Sequence, residues 1–266
     1  DHELDQLFLE LWGADVNRAE PNTDWRVDLQ ASIQGTPDGT DRATRPFFSY
    51  VNEKLLAKPT YSALIATFDN FVAEVGTNEV VTAQKTNEYK ILIDEVCKTR
   101  VMQIAHQFLA KREVSPKSLE EFKKQVLDLW FTPYNRKNSA DSSAYEHVFS
   151  GETKFGHILG FHNWVRFYFE EKAGKINYQG YHVVKQDRLF TIGFKWNHKN
   201  GKSKTSLFVG ASPEFEMALL TASFLVSKKR FGHQQWLPLH VKAGPYSLSI
   251  QCHEMYGKFM GTCYVK

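Results

Sequence analysis

Apolar residues recur at three- and four-residue steps through the first 130 residues, the spacing that lines one face of a helix. Leu4, Leu7, Phe8 and Leu11 mark one such face, and Leu64, Ile65, Phe68, Phe71 and Val72 a second. A longer run predicts a helix over Asn87 to Lys111, with Ile91, Val96, Ile104, Phe108 and Leu109 on its apolar side. Ser118 with Glu121 forms an S-x-x-E capping box ahead of Phe122, Val126 and Leu129. Thr132-Pro133-Tyr134-Asn135 and the polar run Asn138 to Ser143 then stop the helical pattern.

Beyond that joint the pattern changes to short β-branched and aromatic segments punctuated by Gly. Strands are predicted at Tyr181 to Val184, Leu189 to Trp196, Thr205 to Val209, Leu237 to Val241, Tyr246 to Cys252 and Lys258 to Val265, with a hairpin turn at Asn200-Gly201. Two helices interrupt them, one over Asn163 to Lys172 and one opened by Ser212 as N-cap with Pro213 at its first position. Helices first and strands later indicate an α+β fold. The expected organisation is a helical N-terminal subdomain, residues 1–135, and a catalytic subdomain of small antiparallel β-sheets with two helices, residues 136–266, together forming one domain.

With 266 residues, 42% of them hydrophobic and 24% charged, the chain supports a well-developed core. Its longest uncharged apolar run, Met217 to Ser227, falls short of the roughly 20 residues a membrane span needs. The opening DHELDQLFLE is too acidic for a signal peptide. Cys97, Cys252 and Cys263 form no CxxC pattern, so a zinc ribbon is not expected, while one Cys252–Cys263 bridge stays open.

The net charge of +3 conceals a polarised chain. Up to Trp130 there are 15 basic against 21 acidic residues, a balance of −6; after it there are 18 against 9, a balance of +9. Eight of the ten histidines also follow Trp130. A basic, histidine-rich half suits a polyanionic partner and proton-transfer chemistry.

The chemistry concentrates in two motifs, Glu146-His147-Val148-Phe149 and Gly160-Phe161-His162-Asn163-Trp164. Two histidines in these segments can meet across a hairpin. Such a pair serves as general base and general acid near neutral pH. On RNA, one would deprotonate a ribose 2′-OH while the other protonates the leaving 5′-oxygen. A fixed cation is then needed for the charge that develops on the phosphoryl oxygens.

These segments, continued as Glu146 to Glu152 and joined by Phe208-Val209-Gly210-Ala211-Ser212-Pro213-Glu214-Phe215-Glu216, resemble the EndoU (XendoU-type) endoribonucleases. Leu11-Trp12, Asp15-Val16-Asn17-Arg18 and Asp28-Leu29-Gln30 extend the resemblance to animal members and across nearly the whole chain. The resemblance implies a helical N-terminal region and a β-rich catalytic region. It also implies cleavage of single-stranded RNA at uridylates, leaving 2′,3′-cyclic phosphate ends, by a monomer. A protein that keeps the family surface and binds RNA without cleaving it is the alternative. Ala144-Tyr145 departs from the Gly-Phe more usual before this motif and would stiffen the approach to an active-site strand.

By the same resemblance the catalytic residues are His147, His162 and Lys202. His162 is taken as base and His147 as acid, with the reverse left open, and Lys199 and Lys204 crowd the same turn as the lysine. Gly160 falls where a family backbone N–H holds the scissile phosphate. Ser206 falls on the uracil-reading hydroxyl, and Tyr246 on the aromatic that stacks on the base. Animal members are activated by Mn²⁺ or Ca²⁺, and Glu146 and Glu152 are the carboxylates nearest the first histidine. They would either ligate such an ion or orient His147 and favour its protonated form.

Overall fold

The computed structural model describes residues 2–77, 80–135, 140–198, 202–233 and 236–266. Five small antiparallel sheets are set among eight helices in this part of the chain, an α+β arrangement as the pattern of positions predicts.

The first half runs α1 (His2–Ala14), β1 (Trp25–Val27), β2 (Phe48–Val51), α2 (Glu53–Leu56), α3 (Pro59–Ala66), α4 (Ala83–Lys98), α5 (Arg100–Lys111) and α6 (Leu119–Phe131). α1 buries Leu4, Leu7, Phe8 and Leu11, the residues of its apolar stripe. Ser118 caps α6 by accepting the Glu121 N–H. The continuous helix predicted over Asn87 to Lys111 is divided instead. Thr99 has extended backbone and ends α4, and its hydroxyl accepts the Met102 N–H to start α5.

The second half holds β3 (Tyr134–Asn135), β4 (Ala140–Ser142), a π-helical turn (Glu146–Ser150), β5 (Glu152–Lys154), β6 (His157–Leu159), α7 (Trp164–Lys172), β7 (Ile176–Lys185), β8 (Leu189–Trp196), β9 (Lys202–Phe208), α8 (Pro213–Phe231), β10 (Leu239–Ala243), β11 (Tyr246–Met255) and β12 (Phe259–Val265). The larger sheets are β7-β8-β9 and β10-β11-β12. Cys252 and Cys263 oppose each other across β11 and β12 and are joined as a disulfide. Cys97 remains a buried thiol, pushed by its burial up to about 12.

α8 is buried nearly all round, as a central helix must be, and packs on α1, α5, β11 and β12. One hydrophobic cluster thus runs from Leu4 to Val265. No helix among the described residues is long and apolar enough to cross a membrane.

Two buried carboxyls, Glu171 and Asp15, tie the halves together, and a third, Glu216, braces the second half. Glu171 on α7 accepts the backbone N–H groups of Phe47 and Phe48 at 2.6 and 2.9 Å. Glu216 on α8 accepts the Asn163 side-chain amide at 2.8 Å, fixing the residue that follows His162. Asp15 lies under the start of α8, near Ser212 and Glu214. Burial pushes Asp15 up to about 7, with Ser212 pulling the other way and the Glu214 carboxylate adding to the rise.

The folded state therefore keeps a proton on Asp15 between about pH 4 and 7 that the unfolded chain has lost, and stability falls as pH rises through that window. Asp15→Asn removes this cost. It is expected to raise the melting temperature by a few degrees at pH 8 and to lose that advantage at pH 4. Parallel thermal melts at the two pH values check this, and an equal shift at both would show that ionisation of Asp15 is not the cause.

Candidate active site

Ser143 starts the segment that carries the first histidine. Its hydroxyl accepts the Glu146 N–H at 3.1 Å and its carbonyl the His147 N–H at 3.0 Å. The chain then makes the π-helical turn Glu146–Ser150 where a strand was expected, closed by a 2.8 Å hydrogen bond from the Gly151 N–H to the Glu146 carbonyl. The wide turn places His147 above the first residue of β5. The Glu152 carboxylate comes within 2.7 Å of His147 Nδ1, and its second oxygen accepts the Ser142 hydroxyl. Glu152 is fully buried.

The β5–β6 hairpin returns the chain across this turn. Phe161 N–H donates to the His147 carbonyl at 2.9 Å and His162 N–H to the Val148 carbonyl at 2.8 Å. These two bonds set the second histidine motif against the first. They require Gly160, whose φ is +60° and where a Cβ would lie 1.7 Å from the His147 carbonyl oxygen. Phe161 also takes a left-handed φ, +65°. Its ring is fully buried and meets Phe167, Phe194 and Trp196 edge-on, which holds the strained backbone in place.

His162 is fixed from two sides. Its ring stacks on Tyr264 with centroids 4.3 Å apart and planes 8° from parallel, and its Nδ1 lies 3.1 Å from the Ser206 carbonyl oxygen. Thr205, whose hydroxyl donates to the Phe161 carbonyl at 2.8 Å, stands beside the same nitrogen. A carbonyl only accepts, so Nδ1 carries the proton and the basic lone pair of the neutral ring is on Nε2. His147 is anchored through the same ring position, but to a carboxylate.

The other expected site residues fall as follows. Ser206 belongs to the site: β9 and β12 meet there, and its hydroxyl donates to the Val265 carbonyl. Lys202 opens β9 opposite Phe194, while its side chain, Lys199 and the Asn200-Gly201 turn lie outside the described residues.

Tyr246 is a correction. Its ring packs in the core at 4.9 Å from Trp12 and 5.6 Å from Phe208. Its hydroxyl donates to Asp187 at 2.7 Å and accepts from the buried Arg188 at 3.0 Å. The aromatic ring at the histidines is Tyr264, which sequence reasoning missed. The available signal was its place near the end of a strand that pairs back onto β11.

The expected cation ligands do not make a metal site. Both Glu152 oxygens are engaged by His147 and Ser142. Glu146 is buried and lines a separate cavity of about 270 Å³ together with Asp141 and Tyr89. No group of three or more His, Cys, Asp or Glu side chains suited to a metal ion occurs among the described residues. Among the described residues, Glu146 and Glu152 therefore do not together supply the several oxygen ligands that Mn²⁺ or Ca²⁺ takes.

A helical half joined to small sheets brings two histidine motifs together in an α+β fold, and comparison with known proteins gives this arrangement its class, the endoribonucleases. The family model described as Endoribonuclease XendoU matches residues 3–265. Uridylate-specific endoribonuclease B of Danio rerio is 40% identical over 278 residues, covering 99% of this chain and 95% of the relative. Poly(U)-specific endoribonuclease of Xenopus tropicalis is 37% identical over 280 residues, covering 99% and 93%. The solved structure of XendoU, described as a splicing-independent snoRNA-processing endoribonuclease, superposes with a TM-score of 0.85 at 34% identity and covers all of this chain and 97% of its own. The chain belongs to the XendoU endoribonuclease family.

Proposed function

We propose that this protein cleaves single-stranded RNA at uridylates by attack of the ribose 2′-OH on the adjacent phosphodiester, leaving a 2′,3′-cyclic phosphate and a 5′-hydroxyl. The observation that carries the reading is the unequal anchoring of the two histidines. Glu152, a buried carboxylate on Nδ1 of His147, favours the charged ring, which suits the general acid. His162 has neutral oxygens at Nδ1, the Ser206 carbonyl and the Thr205 hydroxyl, where His147 has a carboxylate, which suits it to act as the base through Nε2.

In the forward step His162 takes the 2′-OH proton as the 2′-oxygen bonds to phosphorus. The bond to the 5′-oxygen then breaks as His147 protonates it. Lys202, by its position in the family motif, supplies the fixed cation for the phosphoryl oxygens, and the Gly160 backbone helps hold the phosphate. This route needs no metal step.

Base choice follows from the direction of one proton. The Ser206 Oγ–H is committed to the Val265 carbonyl, so toward a substrate its oxygen can only accept. Uracil offers an N3–H donor there, whereas cytosine offers an acceptor. Tyr264, one residue before the Val265 that takes the Ser206 proton, turns one ring face to His162, and its opposite face is the one on which a pyrimidine would stack.

An oligonucleotide with a single ribouridine tests the reading through its product ends. Cleavage after that uridine to a cyclic phosphate, lost in the 2′-deoxyuridine version, is the expected result. Cleavage of the deoxy substrate, or retention of bound RNA without cleavage, would overturn it.

A further inference from the structure

The outer face of β10 and β11 bears a groove that neither the catalytic groups nor the core uses. Along β10 the residues alternate strictly, with Leu239, Val241 and Ala243 buried and His240 and Lys242 exposed. In the sheet register His240 lies opposite Ser249 and Lys242 opposite Ser247. These four side chains therefore share the solvent face. Together with Lys185 and Lys266 they line a groove of about 610 Å³.

The charge of this groove has one sign almost throughout. Asp5 is the single acidic side chain among its described lining residues, and it accepts the Lys242 backbone N–H at 2.8 Å. Among the described residues no carboxylate forms an ion pair with the ammonium groups of Lys185, Lys242 or Lys266. Isolated cations with neighbouring hydroxyls suit phosphate oxygens and carry no preference for a base.

The groove also adjoins the strands that carry the candidate site. Lys185 and Lys266 line a narrow cleft that continues to Thr191, Ser206 and Val265. Ser206 is the residue whose carbonyl anchors His162. The end of β12 is fixed between the two, because the Lys266 N–H donates to the Ser249 carbonyl at 2.7 Å.

We propose that this groove is a secondary binding track for the phosphodiester backbone of single-stranded RNA on one side of the scissile uridylate. Lys185 and Lys242 neutralise phosphates several nucleotides away from the reacting bond. The proposal rests on the ribonuclease reading above and extends it from a dinucleotide to a strand.

The test compares wild type with a Lys185→Ala, Lys242→Ala double variant on two substrates, a uridine-containing dinucleotide and a 12-mer with one central uridine. For the 12-mer, KM is expected to rise about tenfold at low salt. The slope of log affinity against log salt should fall by about 1.4, about 0.7 for each lost contact to a single strand. For the dinucleotide, kcat/KM should change less than about twofold, since neither lysine would reach it. Unchanged KM and salt slope on the 12-mer would overturn the track, and so would an equal loss on both substrates.

Binding of a 12-mer whose uridine is replaced by 2′-deoxyuridine separates the two levels of the reading. If wild type cleaves neither substrate while the double variant weakens this binding with the reduced salt slope, the ribonuclease reading fails and the track stands. If cleavage is normal and this binding is unaffected, the track fails alone.

Discussion

His162→Ala is expected to slow uridylate cleavage by at least about 10²-fold, the least that loss of a positioned general base should cost. The imidazole is held on one side by Tyr264 and on the other by the Ser206 carbonyl, so its removal takes away a group fixed in place for proton transfer. His147→Ala should cost at least as much, by removing the group that Glu152 keeps ready to protonate the leaving oxygen. The pH profile distinguishes the two losses. A base and an acid acting together give a bell, and each variant should lose the limb belonging to its own histidine. Near-normal rates in either variant, or an unchanged bell in both, would sink the assignment.

The second large effect is expected from a residue with no side chain. In Gly160→Ala the new Cβ meets the His147 carbonyl oxygen at 1.7 Å, a backbone atom that cannot swing aside. The two hydrogen bonds joining the histidine segments would have to open. The expected cost is roughly 2–4 kcal/mol of stability, with activity reduced more than about tenfold.

Gly174→Ala is the matched control. Its φ of +72° is equally left-handed, but nothing lies within 4 Å of its added Cβ. Backbone conformation alone should cost it roughly 1 kcal/mol and leave cleavage intact. Urea denaturation and initial rates of both variants decide the matter. Equal losses would mean that the contact with His147 contributes nothing beyond strain at the glycine.

The sequence made the local features legible. The N-caps at Ser118, Asn163 and Ser212 each sit where a short polar side chain precedes an apolar run, and the structure gives each its backbone partner. β8 spans Leu189–Trp196, the span its β-branched and aromatic residues predict. The break at Thr99 was not legible, because the apolar stripe passes through it without Gly or Pro. The π-helical turn escaped for a similar reason: it rests on Ser143 and Gly151, outside the motif it shapes.

At the active site the distinction was between local and long-range information. His147, Gly160 and His162 sit in compact motifs, and the structure draws those motifs together. Glu152 stood out as a carboxylate near His147, but its pairing with Ser142 as well depends on how β4 meets β5. Choosing between Tyr246 and Tyr264 required the register of β11 on β12 and the meeting of β12 with β9. Local composition does not carry that. Tyr246 is matched to the stacking aromatic by resemblance alone, and Asp187 and Arg188 hold its hydroxyl in the core.

The Nδ1 anchors described for both histidines also bear on what happens after the bond is cut. On the proposed mechanism one turnover would leave His162 carrying an extra proton and His147 lacking one. The Ser206 carbonyl takes up no proton, so His162 cannot pass its own rearward through Nδ1, while His147 has behind it an ionised carboxylate that holds no proton to return. The proton must leave and return through Nε2, the atom that faces the reaction. Resetting the enzyme is then a matter of water reaching that atom, and it begins only when the product has moved away.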